Sequence, residues 1–158
     1  MSRIRGIVIA LWTGLVGCNE PTSVSKFVDV SLASDRQVVS PSTPAAITVT
    51  IVNHGDRSVD VADPSSYACM PPYSVETERG DAVPAPSRGL CALPAYPPIS
   101  LVPGASVTIG DSWSGDAHAG QLENAPLPPG RYRLAARVGV SRGLMASAPV
   151  VITVIAPD

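Results

Sequence analysis

Aromatic side chains are scarce. One Phe, four Tyr and two Trp amount to 4% of the 158 residues. Charged residues reach only 15%, and lysine occurs once, at Lys26. With 11 basic against 13 acidic residues the net charge is −2. No basic surface is therefore available for a phosphate backbone, and nucleic acid is excluded as a partner. Histidine is limited to His54 and His118, neither at ligand spacing from a cysteine. That leaves no metal site of the usual zinc pattern, and no cofactor motif is present. Beyond the first twenty residues no segment carries a convincing helical period, which argues against a helical bundle. What is abundant is apolar residues, at 45%, together with 17 Pro and 13 Gly. Enough core for one domain, broken by that much punctuation, makes strands and turns the expected architecture.

The chain starts with a segment of different character. Arg3 and Arg5 precede a stretch, Gly6 to Gly17, that carries no charge. A basic start followed by a short apolar run is a signal-peptide pattern. The run falls short of the roughly 20 apolar residues that a spanning helix needs. It ends in Leu15-Val16-Gly17-Cys18. This quartet resembles the lipobox of bacterial lipoproteins: an aliphatic residue, a tolerant position, a small residue, then cysteine. The resemblance implies cleavage before Cys18, a lipid on its thiol with palmitate-type acylation, and a membrane anchor. A small Gly17 admits a peptidase, and a thiolate is the nucleophile that accepts the lipid. The plainer reading is a secretory signal with an incidental cysteine. Loss of Arg3 and Arg5 would take the net charge from −2 to −4. Asn19, not aspartate, follows the cysteine, which by the same resemblance favours the outer membrane in a Gram-negative host, facing periplasm or surface. The expected division is residues 1–17 signal peptide, 18–25 lipidated cysteine and tether, and 26–158 one globular domain.

If Cys18 takes lipid, Cys69 and Cys91 remain as an even pair. Export puts them in an oxidising compartment, where a disulfide is expected ahead of two free thiols. They bracket most of a proline-rich stretch, Asp63 to Pro98, in which a central strand is excluded over most of the span. A staple across 22 positions would be worth about 3 kcal/mol.

Strands are legible elsewhere. Phe27, Val28, Val30 and Leu32 interleave with Asp29 and Ser31. Ala45 to Val52 places Ile47, Val49 and Ile51 on one face and Thr48 and Thr50 on the other. Asn53-His-Gly-Asp56 then signals a turn, and Val59 and Val61 are expected to return as the second strand of a hairpin. A short strand fits Tyr73 to Thr77, followed by a turn at Glu78–Asp81. Ile99 to Val102, Ala105 to Trp113, Arg131 to Val138 and Val150 to Ile155 complete the set, with Ser114 to Asn124 expected as a loop. The expected fold is all-β, an immunoglobulin-like antiparallel β-sandwich of about seven strands with a disulfide-stapled proline-rich loop.

The segment Leu101-Val-Pro-Gly-Ala, the strand ending in Trp113, and Pro126-Leu-Pro-Pro-Gly-Arg-Tyr-Arg-Leu134 resemble the BsuPI-like intracellular proteinase inhibitor domain. The likeness covers about two-thirds of the domain. It implies an immunoglobulin-like fold and, more weakly, proteinase inhibition. Tyr132 would bury its ring and send its hydroxyl to a loop backbone, as in a tyrosine corner.

Each functional motif competes with a plainer reading. Ser112 in Gly110-Asp-Ser-Trp113, with Asp116 and His118 nearby, could form a hydrolase triad; a serine at a strand end is the simpler account, and the chain is read as a non-enzyme. Arg79-Gly80-Asp81 could be an adhesion motif, but matches a common turn. His54, Asp56, Asp60 and Asp63 could suggest a cation loop without the spacing calcium requires. Arg131, Arg133, Arg137 and Arg142 could meet an anionic partner or form a solvated face. Tyr67, Tyr73, Tyr96 and Trp113 fall in or beside the proline-rich stretch and make the candidate binding surface, with a mini-core under the loop as the other reading. The resulting expectation is a membrane-anchored cell-envelope module that engages an envelope protein or polysaccharide. An envelope proteinase inhibitor and a small serine hydrolase are the alternatives.

Overall fold

The computed structural model describes residues 27–86, 96–120, 123–141 and 143–156. The signal segment, Cys18, the tether, Cys91 and Arg142 lie outside these residues. The first strands are β1 (Val28–Ser34), β2 (Val38–Val39), β3 (Ala45–Asn53) and β4 (Val59–Val61). A 3-10 turn, Pro64–Tyr67, precedes β5 (Tyr73–Thr77), β6 (Ala82–Val83) and β7 (Ile99–Leu101). Then come β8 (Ser106–Trp113), β9 (Asp116–Gly120) and β10 (Glu123–Pro126). The last are β11 (Gly130–Val140), β12 (Gly143–Ala146) and β13 (Val150–Val154).

Alternation builds the first sheet, in the order β1-β3-β8. In β3, Ala45, Ile47, Val49 and Ile51 are buried, while Thr48 and Thr50 are only half-buried on the opposite face. Side chains alternate across a pleated strand, so one register commits every one of these residues. Val49 lies opposite Leu32 of β1 and Ile109 of β8.

The second sheet holds eight strands around β11. Tyr132, Leu134, Ala136 and Val138 of β11 point into the core, and Arg131 and Arg137 stay exposed. β13 pairs with one side of β11, where Tyr132 meets Ile152, and β5 with the other, where Leu134 meets Val75. The two inner faces pack into one core that includes Val28, Ile47, Ile51, Trp113, Leu134 and Ile152. Two facing, largely antiparallel sheets with a shared apolar interior form a β-sandwich of immunoglobulin-like type.

Three local expectations are corrected. First, β3 and β4 do not form a hairpin: β3 belongs to the first sheet, and β4 pairs with β7 and β11 in the second. The reason is Asn53, fully buried at the corner. Its side-chain amide donates to Arg57 O (2.8 Å) and Leu101 O (2.9 Å), and its Oδ1 accepts from Gly55 N (2.9 Å). These bonds turn the chain out of one sheet and into the other. Second, Ser114 to Asn124 is not a plain loop, because β9 and β10 pair antiparallel. Small residues hide that pairing from a β-propensity reading. It is anchored by the Trp113 indole N–H on Asp116 O (3.0 Å) and by Leu127 N on Gly115 O (2.8 Å). Third, the pairing is not wholly antiparallel: β2 runs parallel to β13, with Val39 opposite Val154.

Candidate functional site

The four rings expected to form a binding surface are not one surface. Trp113 is 0% exposed and Tyr73 3% exposed, both within the core. Tyr67 is half-buried, and its hydroxyl accepts the Gly139 N–H at 3.1 Å. It thereby pins the 3-10 turn to β11. Tyr96 alone stays open, at 39%. The physical reason is scarcity. A chain with so few aromatics places its largest rings where apolar burial is greatest. Sequence position beside a proline-rich stretch gives no information on which face of a strand a ring occupies.

The tyrosine-corner expectation agrees with the structure. Tyr132 is buried and its hydroxyl donates to Pro128 O at 2.8 Å. Burial raises its phenol above the ordinary value of 10.0. Its ring meets Trp113 edge to face.

The arginine stripe on β11 is largely matched by acids on β5 and in the turn after it. Arg131 sits 2.7 Å from Glu78, and Arg137 is 4.0 Å from Glu76 and donates to Ser74 Oγ at 3.1 Å. Arg133 lies opposite Glu76 in the ladder. Cross-strand pairs of this kind are worth little each when exposed. They leave a mixed face in place of a cationic one.

Arg79-Gly80-Asp81 does sit at a hairpin tip between β5 and β6, exposed, with Gly80 at φ +90°. Thr77 N donates to Asp81 O (2.8 Å), and the Thr77 hydroxyl donates to the Asp81 carboxylate (3.1 Å). The tip overlooks an open groove of about 440 Å³, lined by Glu78, Arg79, Asp81, Pro129 and Arg131 among others.

The triad residues are not joined. Ser112 is exposed on β8, opposite Ala46. The Asp116 carboxylate accepts from Ser114 Oγ at 2.9 Å, and His118 Nδ1 is buried without a hydrogen-bond partner among the described residues. The proposed cation-loop residues also disperse. His54 turns to Asp29 (3.2 Å), and Asp63 caps the 3-10 turn through Ser65 N (2.7 Å). Among the described residues no three His, Cys, Asp or Glu side chains converge on one point.

Asp35 carries no signal in the sequence that marks it out. Its carboxylate is held below the usual range by Arg36 and by the Ala46 N–H, which it accepts at 2.8 Å. Asn53 was missed as well, because a strand-end asparagine before His-Gly-Asp reads as a turn residue. Nothing local in the sequence marks it as buried.

No protein-family model matches the chain, and no curated protein sequence does. The likeness to the BsuPI-like family therefore rests on its motifs alone. Among solved structures, a β-glucosidase from Erythrobacter marinus superimposes with 16% identity and a TM-score of 0.46, over 81% of this chain and 15% of that one. The C-terminal domain of Wzt does so with 12% identity and a TM-score of 0.46, over 82% and 72%. The CARDB domain of the PF1109 protein from Pyrococcus furiosus gives 15% identity and a TM-score of 0.42, over 82% and 90%. The chain thus spans 15% of the glucosidase's length.

Proposed function

We propose that this chain is a lipid-anchored protein of the cell envelope whose β-sandwich serves as a binding or structural module. One observation carries the reading: Leu15-Val16-Gly17-Cys18 closes an uncharged run that follows Arg3 and Arg5. The partner is an envelope protein or polysaccharide, and the role assigned is non-catalytic. We also propose that Cys69 pairs with Cys91. The even pair of cysteines left once Cys18 takes lipid supports that pairing, since export favours oxidised thiols.

The test is the intact mass of the native protein from host membranes, before and after reduction. A chain beginning at acylated Cys18, gaining two hydrogens on reduction, is the expected result. A mass that still includes Met1 and does not change on reduction would overturn both statements. Proteinase inhibition is the second reading, favoured by the exposed hairpin tip and by the motifs around Trp113 and Tyr132. A flat response from a proteinase panel at micromolar domain would remove it.

A further inference from the structure

We propose that the end of the sandwich carrying Phe27, Val102 and Leu144 lies against the lipid bilayer, with the Arg79-Gly80-Asp81 hairpin held away from it. The inference rests on the lipid-anchor reading and adds an orientation to it.

Three connections meet at that end. Phe27 O accepts the His54 N–H at 2.7 Å, so the point where the described chain begins touches the corner after β3. Asn53 O accepts the Gly104 N–H at 2.8 Å, which brings in the turn between β7 and β8. Ser141 N donates to Asp60 O at 2.9 Å, which adds the turn between β11 and β12. Each connection leaves a large apolar side chain in water: Phe27 at 39%, Val102 at 57% and Leu144 at 63% exposure. Pro103 is exposed beside Val102. Exposed apolar side chains gathered at one end of a small domain mark a contact surface.

The occupant follows from the position of the anchor. Cys18 is nine residues before Phe27, and nine residues reach about 30 Å at most, even fully extended. The opposite end of the sandwich lies about another 30 Å away, the length of nine residues of strand such as β3. Val38 and Ile155 are exposed there, near Val39 and Val154. They would meet the bilayer only if the tether ran back along the whole domain. The entry end is the one the tether holds closest. The corner after β3 also exposes Asp56 and Arg57 at this end, so the apolar side chains would enter the boundary beside charges held at headgroup level. Such contacts supplement an acyl anchor by lying at the headgroup boundary.

The test uses the full lipidated chain in phosphatidylcholine vesicles whose acyl chains carry bromine, a quencher of tryptophan. Trp12 leaves with the signal segment, and Trp113 is fully buried, so Trp113 serves as the internal reference. Val102→Trp and Leu144→Trp are compared with Arg79→Trp, all at exposed positions. The expected result is loss of emission with a blue shift at 102 and 144, and neither at 79. Equal responses at 102, 144 and 79, from a chain that floats with the vesicles, would overturn the orientation and leave the anchor standing. Absence of quenching together with a crosslink from 102 to a protein in native membranes would assign this end to a protein and also overturn it. A mass without lipid on Cys18 would overturn the anchor reading itself, and the orientation with it. Mass and quenching therefore separate the two failures.

Discussion

Trp113 and Tyr132 meet edge to face, with ring centroids 6.3 Å apart and planes at 75°. One ring comes from β8 in the first sheet and the other from β11 in the second. The pair bridges the two sheets within the shared core. Trp113→Ala is expected to cost about 3–5 kcal/mol, read from denaturant unfolding. A loss below 1 kcal/mol by the same measurement would mean that the site collapses without a cavity.

The Tyr132 hydroxyl makes a narrower contribution. Tyr132→Phe removes its bond to Pro128 O and is expected to cost about 1 kcal/mol, because that loop carbonyl can be hydrated instead. Burial raises the phenol's folded value above its unfolded one. The stability this gives is fully present below the unfolded value and is lost as pH rises through the folded value. Wild type should therefore lose stability above about pH 10 more steeply than the Phe variant. Parallel alkaline melting curves for the two proteins would count against a role for Tyr132.

Asn53 is the polar counterpart of that aromatic contact. Asn53→Ala leaves Leu101 O and Gly55 N without their partner, an expected loss of about 2–3 kcal/mol. Asn53→Asp should be worse near pH 7 and partly recover in acid. An ionised carboxylate can donate to neither carbonyl, whereas the protonated form can donate to one of them. Chemical unfolding at pH 4.5 and pH 7 would reveal the difference, and equal stability at both would refute it.

Two glycines separate backbone strain from crowding. Gly104 has φ +77° with nothing near its missing Cβ, while Gly115 has φ +78° and would place a Cβ 2.9 Å from Val154. Gly104→Ala should cost about 1–2 kcal/mol, the left-handed penalty alone. Gly115→Ala should cost about 2–5 kcal/mol, because overpacking adds to it. Thermal melts of the pair that coincide would show that Val154 yields freely.

Reduction bears on the proposed staple. If Cys69 and Cys91 are paired, a reductant should lower the melting temperature, with a loss near 3 kcal/mol for a loop of this length. An unchanged melt under full reduction would remove the pairing.

The sequence by itself determined the strands whose faces alternate. β1, β3 and β11 lie where period-two patterning puts them, because one buried face dictates which residues must be apolar. The turn glycines and the Tyr132 corner were legible for a similar reason: each follows from a local backbone need. What only the tertiary structure decided was partnership. Whether β4 folds back on β3 or crosses to the other sheet depends on where the Asn53 amide finds carbonyls, and Leu101 is 48 residues away. Whether β2 runs parallel or antiparallel to β13 depends on how the chain changes sheets. Whether Tyr73 and Trp113 face solvent or core depends on which sheet covers them. Local pattern records which face of a strand is apolar, but not what will lie against it.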